Sequence, residues 1–511
     1  MTQTYSKTAG VAAAWLALTM IVIKLLGAGS LLVLGFLLDE EDFGIYAIAL
    51  ASAALIRAFQ SGGVQHILVR AGKEDYSRLA PQCLWISVSL NTVIAGVLVA
   101  VAPAIAMAND EPQLRQMMYV IAATVLVAAA RPVLYARLLI DLRYDLQAKL
   151  NIWMSFIQYA GMIALAALGF GPLSFVLPML AVAVIETLVL LRAVGSAALP
   201  RRPALALWPP ILAQSVWLLL AAAADALHTQ GDKMFIGTIV GTDTVGVYAF
   251  AFMIAMQSLS LLAMRLREML FPILSKIKDD IPRQAAAVVR SISALMMVTA
   301  PALVGISITF PALEHALYAG RWSEAVIATQ ILCALIPLRS LITLVNSWNM
   351  AMGEFRTQFL VLLACGTATV AGSIAGAIIG GDATSIAIGV GTANLVMFPT
   401  LMIVQLRRRG VSWAKILGAF RPYLIAVGLG APAWIGLPHL YSALHISGGR
   451  VLPLAVACAA AGVYGLIYAT AIRVLLADQL RDALSIVPGG LGERAIRVLR
   501  LKRPTQTDPA S

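Results

Sequence analysis

Charge is scarce in this 511-residue chain: Asp, Glu, Lys and Arg supply 12% of it, against 60% hydrophobic residues. A composition with so little polar surface excludes a soluble globule. Cysteine is scarce too. Cys83, Cys333, Cys365 and Cys458 stand singly within or beside apolar runs, without a C-x-x-C or histidine partner at metal-ligand spacing. That pattern points to neither a disulfide framework nor a metal site. The phosphate loop G-x-x-x-x-G-K-[ST] is missing, so the chain is not itself an ATPase. H-E-x-x-H and G-x-S-x-G are missing as well, and no loop is large enough to hold a carboxylate pair for glycosyl transfer. The sequence therefore predicts a protein that is not an enzyme, with no catalytic residue and no cofactor.

Long hydrophobic runs are what the chain has instead. Fourteen apolar stretches can be marked off, each of about 20 residues or more and able to cross a bilayer's hydrocarbon core. The loops between them alternate in charge. The first turn is Asp39-Glu40-Glu41-Asp42, the second carries Arg70, Lys73 and Arg78, the third reads Asn109-Asp110-Glu111, and the fourth holds Arg137, Arg143 and Lys149. Of the 37 Lys and Arg, 29 fall on one side, three on the other (Arg115, Arg321, Arg450) and five within spans. The positive-inside rule places both termini in the cytoplasm. The net charge of +12 then needs no nucleic acid, because it meets anionic lipid headgroups at the inner leaflet. Ala9 to Leu38 is too long and apolar for a cleavable signal peptide and reads as the first span.

The loop 193–210, rich in proline with Arg201 and Arg202, reads as a joint between two bundles. The expected layout is an N-terminal six-helix bundle over 1–200 and a second over 201–410. Two further spans occupy 411–475, and a basic cytoplasmic tail occupies 476–511. Within that tail LGERAIRVLRLKR suits the inner-leaflet surface.

The halves repeat one another. LGFLLDEEDFGIYAIA at the end of span one lies over IGTIVGTDTVGVYAFA at the end of span seven, matching Gly35 to Gly237, Gly44 to Gly246, Tyr46 to Tyr248 and Ala47 to Ala249. A second register sets Pro103 on Pro311 and Arg131 on Arg339. Six spans per copy is even, so the copies share an orientation, and transporters built from parallel repeats hold substrate between their halves.

EDFGIYAIA, DKMFIGTIVG leading into GVYAFA, LFPILSKIKDD and YAGRWSEA, in this order and spacing, resemble the polysaccharide-transporter branch of the multidrug/oligosaccharidyl-lipid/polysaccharide (MOP) exporter superfamily, which contains the Wzx-type flippases. The resemblance implies an all-α membrane fold of two six-helix bundles facing each other in a V, with two extra C-terminal spans. It also implies export of undecaprenyl-pyrophosphate-linked glycans across the bacterial inner membrane by alternating access, without ATP hydrolysis.

Charges inside spans carry the site prediction, since each costs about 2.5–3.5 kcal/mol at mid-depth and needs a cavity or a partner. Lys24 lies mid-way along span one and Arg57 near the middle of span two, taken as 43–69. Gln60, Ser61 and Gln65 continue the Arg57 side as a wet face. Arg131 and Arg339 lie toward the inner side at repeat-equivalent positions. Lys24, Arg57, Arg131 and Arg339 are thus the candidate cationic cavity. Asp225, His228 and Asp232 share one helix face at i, i+3, i+7 and, with Gln60 and Ser61, form the candidate polar or coupling face.

Each residue has a plainer reading. Lys24 and Asp225 stand one residue apart under the first register and are open to mutual neutralisation. Arg131 and Arg339 serve equally as a structural latch. His228 titrates near neutral pH but is equally a hydrogen-bonding residue. Glu186, Arg265, Arg267 and Glu268 lie near the inner surface, where snorkelling is the default. Gly372, Gly376 and Gly380 read as close helix packing.

The expected partners are a polyprenyl-pyrophosphate-linked glycan (O-antigen, capsule or exopolysaccharide), membrane lipids, a glycan polymerase and glycosyltransferases. A multidrug-type cation antiporter is the alternative within the superfamily, though in-span bases outnumber acids. An integral-membrane glycan polymerase is the alternative outside it, but would call for a large outer loop.

Overall fold

The computed structural model describes residues 19, 22–60, 64–141, 143–194, 208, 216–277, 279–443 and 451–485. Ser61, the joint at 195–207 and the basic stretch 491–503 lie outside them. Every regular element among the described residues is a helix. In chain order they are α1 (Val22–Leu37), α2 (Glu40–Arg57), α3 (Val64–Ala108), α4 (Pro112–Val127), a 3-10 turn (Ala128–Ala130), α5 (Arg131–Ile140), α6 (Tyr144–Ala167) and α7 (Leu173–Val194). There follow α8 (Val216–Val240), α9 (Thr242–Lys276), α10 (Ile281–Tyr318), α11 (Ser323–Arg339), α12 (Leu341–Met352), α13 (Phe355–Ile379), α14 (Ala383–Arg408), α15 (Trp413–Ala443), α16 (Val451–Leu475) and α17 (Ala477–Ser485).

Ten helical stretches among the described residues are long and apolar enough to cross a bilayer. The protein is therefore a multi-pass membrane protein. The other apolar runs are helical but shorter or more charged: α1 is 16 residues long, α2 opens on Glu40, Glu41 and Asp42, and α8 carries Asp225, Asp232 and Lys233.

The helix breaks have local causes. Asp39 caps α2, accepting from the Asp42 amide at 2.9 Å, while the Asp39 amide donates to the Asp42 carboxylate at 3.4 Å. The run expected as one span over 43–69 is interrupted: α2 ends at Arg57, and helix resumes at Val64. Residues 58–60 form a turn directly after α2. Arg57 stands in the last turn of α2, where a cation complements the helix dipole.

The two arginines paired by the repeat both stand at breaks. The continuous span Pro112–Ile140 is interrupted by the 3-10 turn just before Arg131, and Ser323–Met352 by Ser340 just after Arg339. Pro132 and Pro337 lack the amide that would carry the helix through.

The chain packs as two compact units, Met1–Gln257 with Phe355–Ala393, and Ser258–Glu354 with Asn394–Ser511. In the first, α2 lies along α8 and α13 along α8. Phe43 bridges Phe175 and Phe250, with ring centroids 5.3 and 5.4 Å away. α13 and α14 approach closely where a Cβ on Gly372 would come within 2.9 Å of the Gly389 carbonyl carbon. In the second unit, α10 packs against α11, α15 and α16. There the buried Trp348 donates from its indole Nε1 to Gln284 at 3.0 Å, and the Arg409 guanidinium lies 4.1 Å over its ring.

Candidate functional site

A cleft of about 370 Å³ opens within the first unit. Its walls come from α1, α2, α4, α5, α6 and α7. Met154, Met179 and Val182 supply apolar wall; Gln60, Asn151, Ser155 and Gln158 supply neutral hydrogen-bonding groups; Arg57, Arg131 and Glu186 supply charge. The volume is in the range of small-ligand sites, about 300–1,000 Å³.

The two arginines in this cleft differ in what satisfies them. Arg131 Nη2 lies 2.6 Å from Glu186 Oε2, with the Arg131 side chain 38% exposed and that of Glu186 2% exposed. Tyr135, one turn further along α5, donates its hydroxyl to the other Glu186 oxygen and lies 3.3 Å from Asn151 Oδ1. One carboxylate oxygen thus accepts a hydrogen bond and the other is ion-paired to Arg131 without a hydrogen bond among the described residues. Arg57, by contrast, makes no ion pair among the described residues, and its buried Nε has no hydrogen-bond partner there. One arginine is neutralised and one is not, so the charged groups of the cleft sum to one positive charge.

The remaining candidates lie elsewhere. Lys24, half-buried on α1, makes no ion pair among the described residues; its carbonyl accepts from Gln257 Nε2 at 3.0 Å. Asp225 is exposed, whereas His228 and Asp232 further along α8 are buried. His228 packs against α13, where a Cβ on Gly366 would come within 3.0 Å of the His228 amide nitrogen. Asp232 sits in a buried network: Lys233 Nζ lies 3.0 Å from both its oxygens, and the Tyr248 hydroxyl donates to Oδ2 at 2.7 Å. The Lys233 ammonium also lies 3.7 Å from the Phe252 ring centre. Arg339 is buried at the end of α11 in the second unit. Gln60 lines the cleft; Ser61 is outside the described residues.

Glu186 escaped sequence reasoning, which placed it near the inner surface. The available signal was its position inside the apolar run of α7, with Thr187 its only polar neighbour within four residues before Arg192. A lone intramembrane carboxylate calls for a partner.

The turns bear a second electrostatic feature. Asp42, ahead of the apolar part of α2, has its carboxyl pushed up to about 6 by burial and by the neighbouring Asp39 and Glu41. Glu111, between α3 and α4, is raised by burial and by Glu41, against a 3.4 Å hydrogen bond from Thr242.

The family described as polysaccharide biosynthesis protein matches residues 33–327, more than half of the chain. The chain belongs to this family. The matched region contains the whole cleft save Ile23, and also the Asp232–Lys233–Tyr248 network. Among characterised proteins, the lipopolysaccharide biosynthesis protein WzxC of Escherichia coli (strain K12) is 22% identical over 355 residues, covering 68% of this chain and 70% of that protein. Among solved structures, the lipid II flippase MurJ in an inward closed conformation aligns with a TM-score of 0.68 at 9% identity, covering 91% of this chain and 98% of MurJ. An outward-facing multidrug resistance MATE transporter of the MOP superfamily aligns at 0.54 with 15% identity, covering 80% and 96%. These likenesses show the fold: an all-helical architecture shared with MurJ and the MATE transporter.

Proposed function

We propose that this protein is a flippase that carries polyprenyl-diphosphate-linked oligosaccharide from the cytoplasmic to the periplasmic leaflet. The observation that carries the reading is Arg57, a half-buried arginine with a buried Nε and no ion pair among the described residues, facing a cleft in a chain of the polysaccharide biosynthesis family. The relationship to a lipopolysaccharide biosynthesis protein and the fold shared with a lipid II flippase support it.

The physical task is desolvation. A diphosphate entering hydrocarbon loses hydration that nothing there replaces. Arg57 and Arg131 substitute charge-assisted hydrogen bonds for water, since guanidinium presents planar donors that match phosphate oxygens. Gln60, Asn151, Ser155 and Gln158 offer neutral donors and acceptors for sugar hydroxyls, and the polyprenyl chain stays in lipid. In an inside-negative membrane, outward movement of anionic charge is downhill by about 2.3 kcal/mol per charge per 100 mV. ATP hydrolysis is then unnecessary, and the protein acts as a transporter, not an enzyme.

Lys24 extends the cationic path in this reading, and Asp225, His228 and Asp232 belong to its polar or coupling face; Arg339 supplies a cation within the second unit. The repeat-related segments 1–200 and 201–410 act as the two moving halves, with 411–475 as accessory spans. The loop charges support an inner-membrane orientation with both termini cytoplasmic. Glycosyltransferases and a glycan polymerase supply and consume the cargo. A cation antiporter would require a net acidic cleft, and the charge here is of the other sign.

The testing experiment is glycan export in a strain lacking its own flippase. Expression of this chain should restore surface glycan. Restored resistance to lipophilic cations without glycan export would support antiport instead.

A further inference from the structure

We infer that Glu186 is an internal stand-in for the substrate's diphosphate, occupying Arg131 while the cleft is empty and giving it up when the anion enters. This rests on the anion-binding reading of the cleft and adds a release device to it. A carboxylate presents two oxygens to a guanidinium along much the same edge as a phosphoryl group does. In the structure Arg131 Nη2 is 2.6 Å from Glu186 Oε2, yet 38% of the Arg131 side chain is exposed, so its outer donors reach the cleft. Arg57 faces the same space without a carboxylate partner among the described residues.

An entering diphosphate therefore meets one open cation and one occupied cation. Capture on Arg57 needs no exchange. Full engagement of Arg131 requires that Glu186 withdraw, leaving its carboxylate with the Tyr135 hydroxyl as its remaining described partner. That displaced carboxylate is poorly satisfied and returns to Arg131 as the anion departs, which hastens release. A transport site must bind strongly enough to load and weakly enough to unload. Glu186 sets that balance. It is a positioning residue, acting on the substrate through Arg131.

The test uses the purified full-length protein. Binding of inorganic pyrophosphate is measured by calorimetry, and outward movement of a polyprenyl-diphosphate-linked sugar is measured in proteoliposomes. Glu186→Gln keeps a side chain of the same size that still accepts from Tyr135 and removes the competing charge. It should bind pyrophosphate about tenfold more tightly than the unaltered protein while exporting more slowly. A purely structural role would weaken both. If Glu186→Gln does not accumulate in folded form, Glu186→Asp is read instead; its carboxylate is one methylene shorter, and pyrophosphate should again bind more tightly. Equal or weaker binding by the variant, with the unaltered protein binding well, overturns the exchange and leaves the anion cleft standing. No pyrophosphate binding by either protein overturns the anion cleft and the exchange with it.

Discussion

Gly44 and Gly246, equivalent positions in the internal repeat, pack backbone against backbone. A Cβ on Gly44 would lie 3.1 Å from the Gly246 nitrogen, and one on Gly246 would lie 2.9 Å from the Gly44 nitrogen. Each would also collide with a carbonyl of the facing turn, Thr242 for Gly44 and Glu40 for Gly246. The repeated G-[IV]-Y-A pattern thus has a packing cause: two helix starts approach too closely to admit a side chain.

Gly44→Ala and Gly246→Ala should each destabilise the fold by about 1–3 kcal/mol, the cost of overpacking a fitted contact. The double variant should cost less than the sum, because relieving one clash opens the other. Thermal inactivation of purified protein in detergent checks both, and additive effects would show that the two glycines do not share a contact.

The Arg131–Glu186 pair should respond asymmetrically. Arg131→Gln strands a carboxylate that is 2% exposed and should cost about 3–5 kcal/mol. Glu186→Gln leaves an arginine with access to the cleft and should cost much less. Combining the two should recover protein level without recovering export. Membrane abundance measured beside surface glycan distinguishes these outcomes.

Lys233→Met should destabilise strongly, by about 3–5 kcal/mol, since it leaves the fully buried Asp232 with the Tyr248 hydroxyl as its donor among the described residues. Adding Asp232→Leu should restore most of the folded yield. Continued loss of yield in the double variant would assign the pair a role beyond mutual neutralisation.

The Asp42 turn should depend on pH with a definite sign. Its carboxyl titrates near 6 in the folded protein against about 4 when unfolded, so the folded turn binds more protons between those values. The turn should be most stable below pH 4 and lose that contribution as pH rises through 6. Amide hydrogen exchange at residues 43–46 should quicken over that window, after correction for intrinsic rates, and Asp42→Asn should flatten the profile.

The helical membrane fold was legible because hydrophobic runs and loop charge are local signals. The sequence match of Gly44 with Gly246 falls on a contact that demands glycine twice, and the match of Arg131 with Arg339 falls on two helix breaks. Arg57 was legible as a cation without an acidic neighbour in its own span, whereas the end of α2 at Arg57 was not, because an apolar run conceals where a helix stops. Glu186 was not found: its partner lies 55 residues away, on another helix, and hydropathy carries no record of which faces meet. Asp232 was read as part of a polar face, and the structure also pairs it with its neighbour Lys233. That pairing depends on side-chain reach, which the i, i+3, i+7 pattern does not encode.

The central claim is that Arg57 solvates a diphosphate in transit. The most direct measurement is outward movement of a polyprenyl-diphosphate-linked sugar in proteoliposomes containing equal amounts of folded unaltered protein, Arg57→Lys and Arg57→Ala. The account predicts loss of at least tenfold in rate for Arg57→Ala, and partial activity for Arg57→Lys, which keeps a point charge but loses the planar donor fork. Transport by folded Arg57→Ala at the unaltered rate would contradict it.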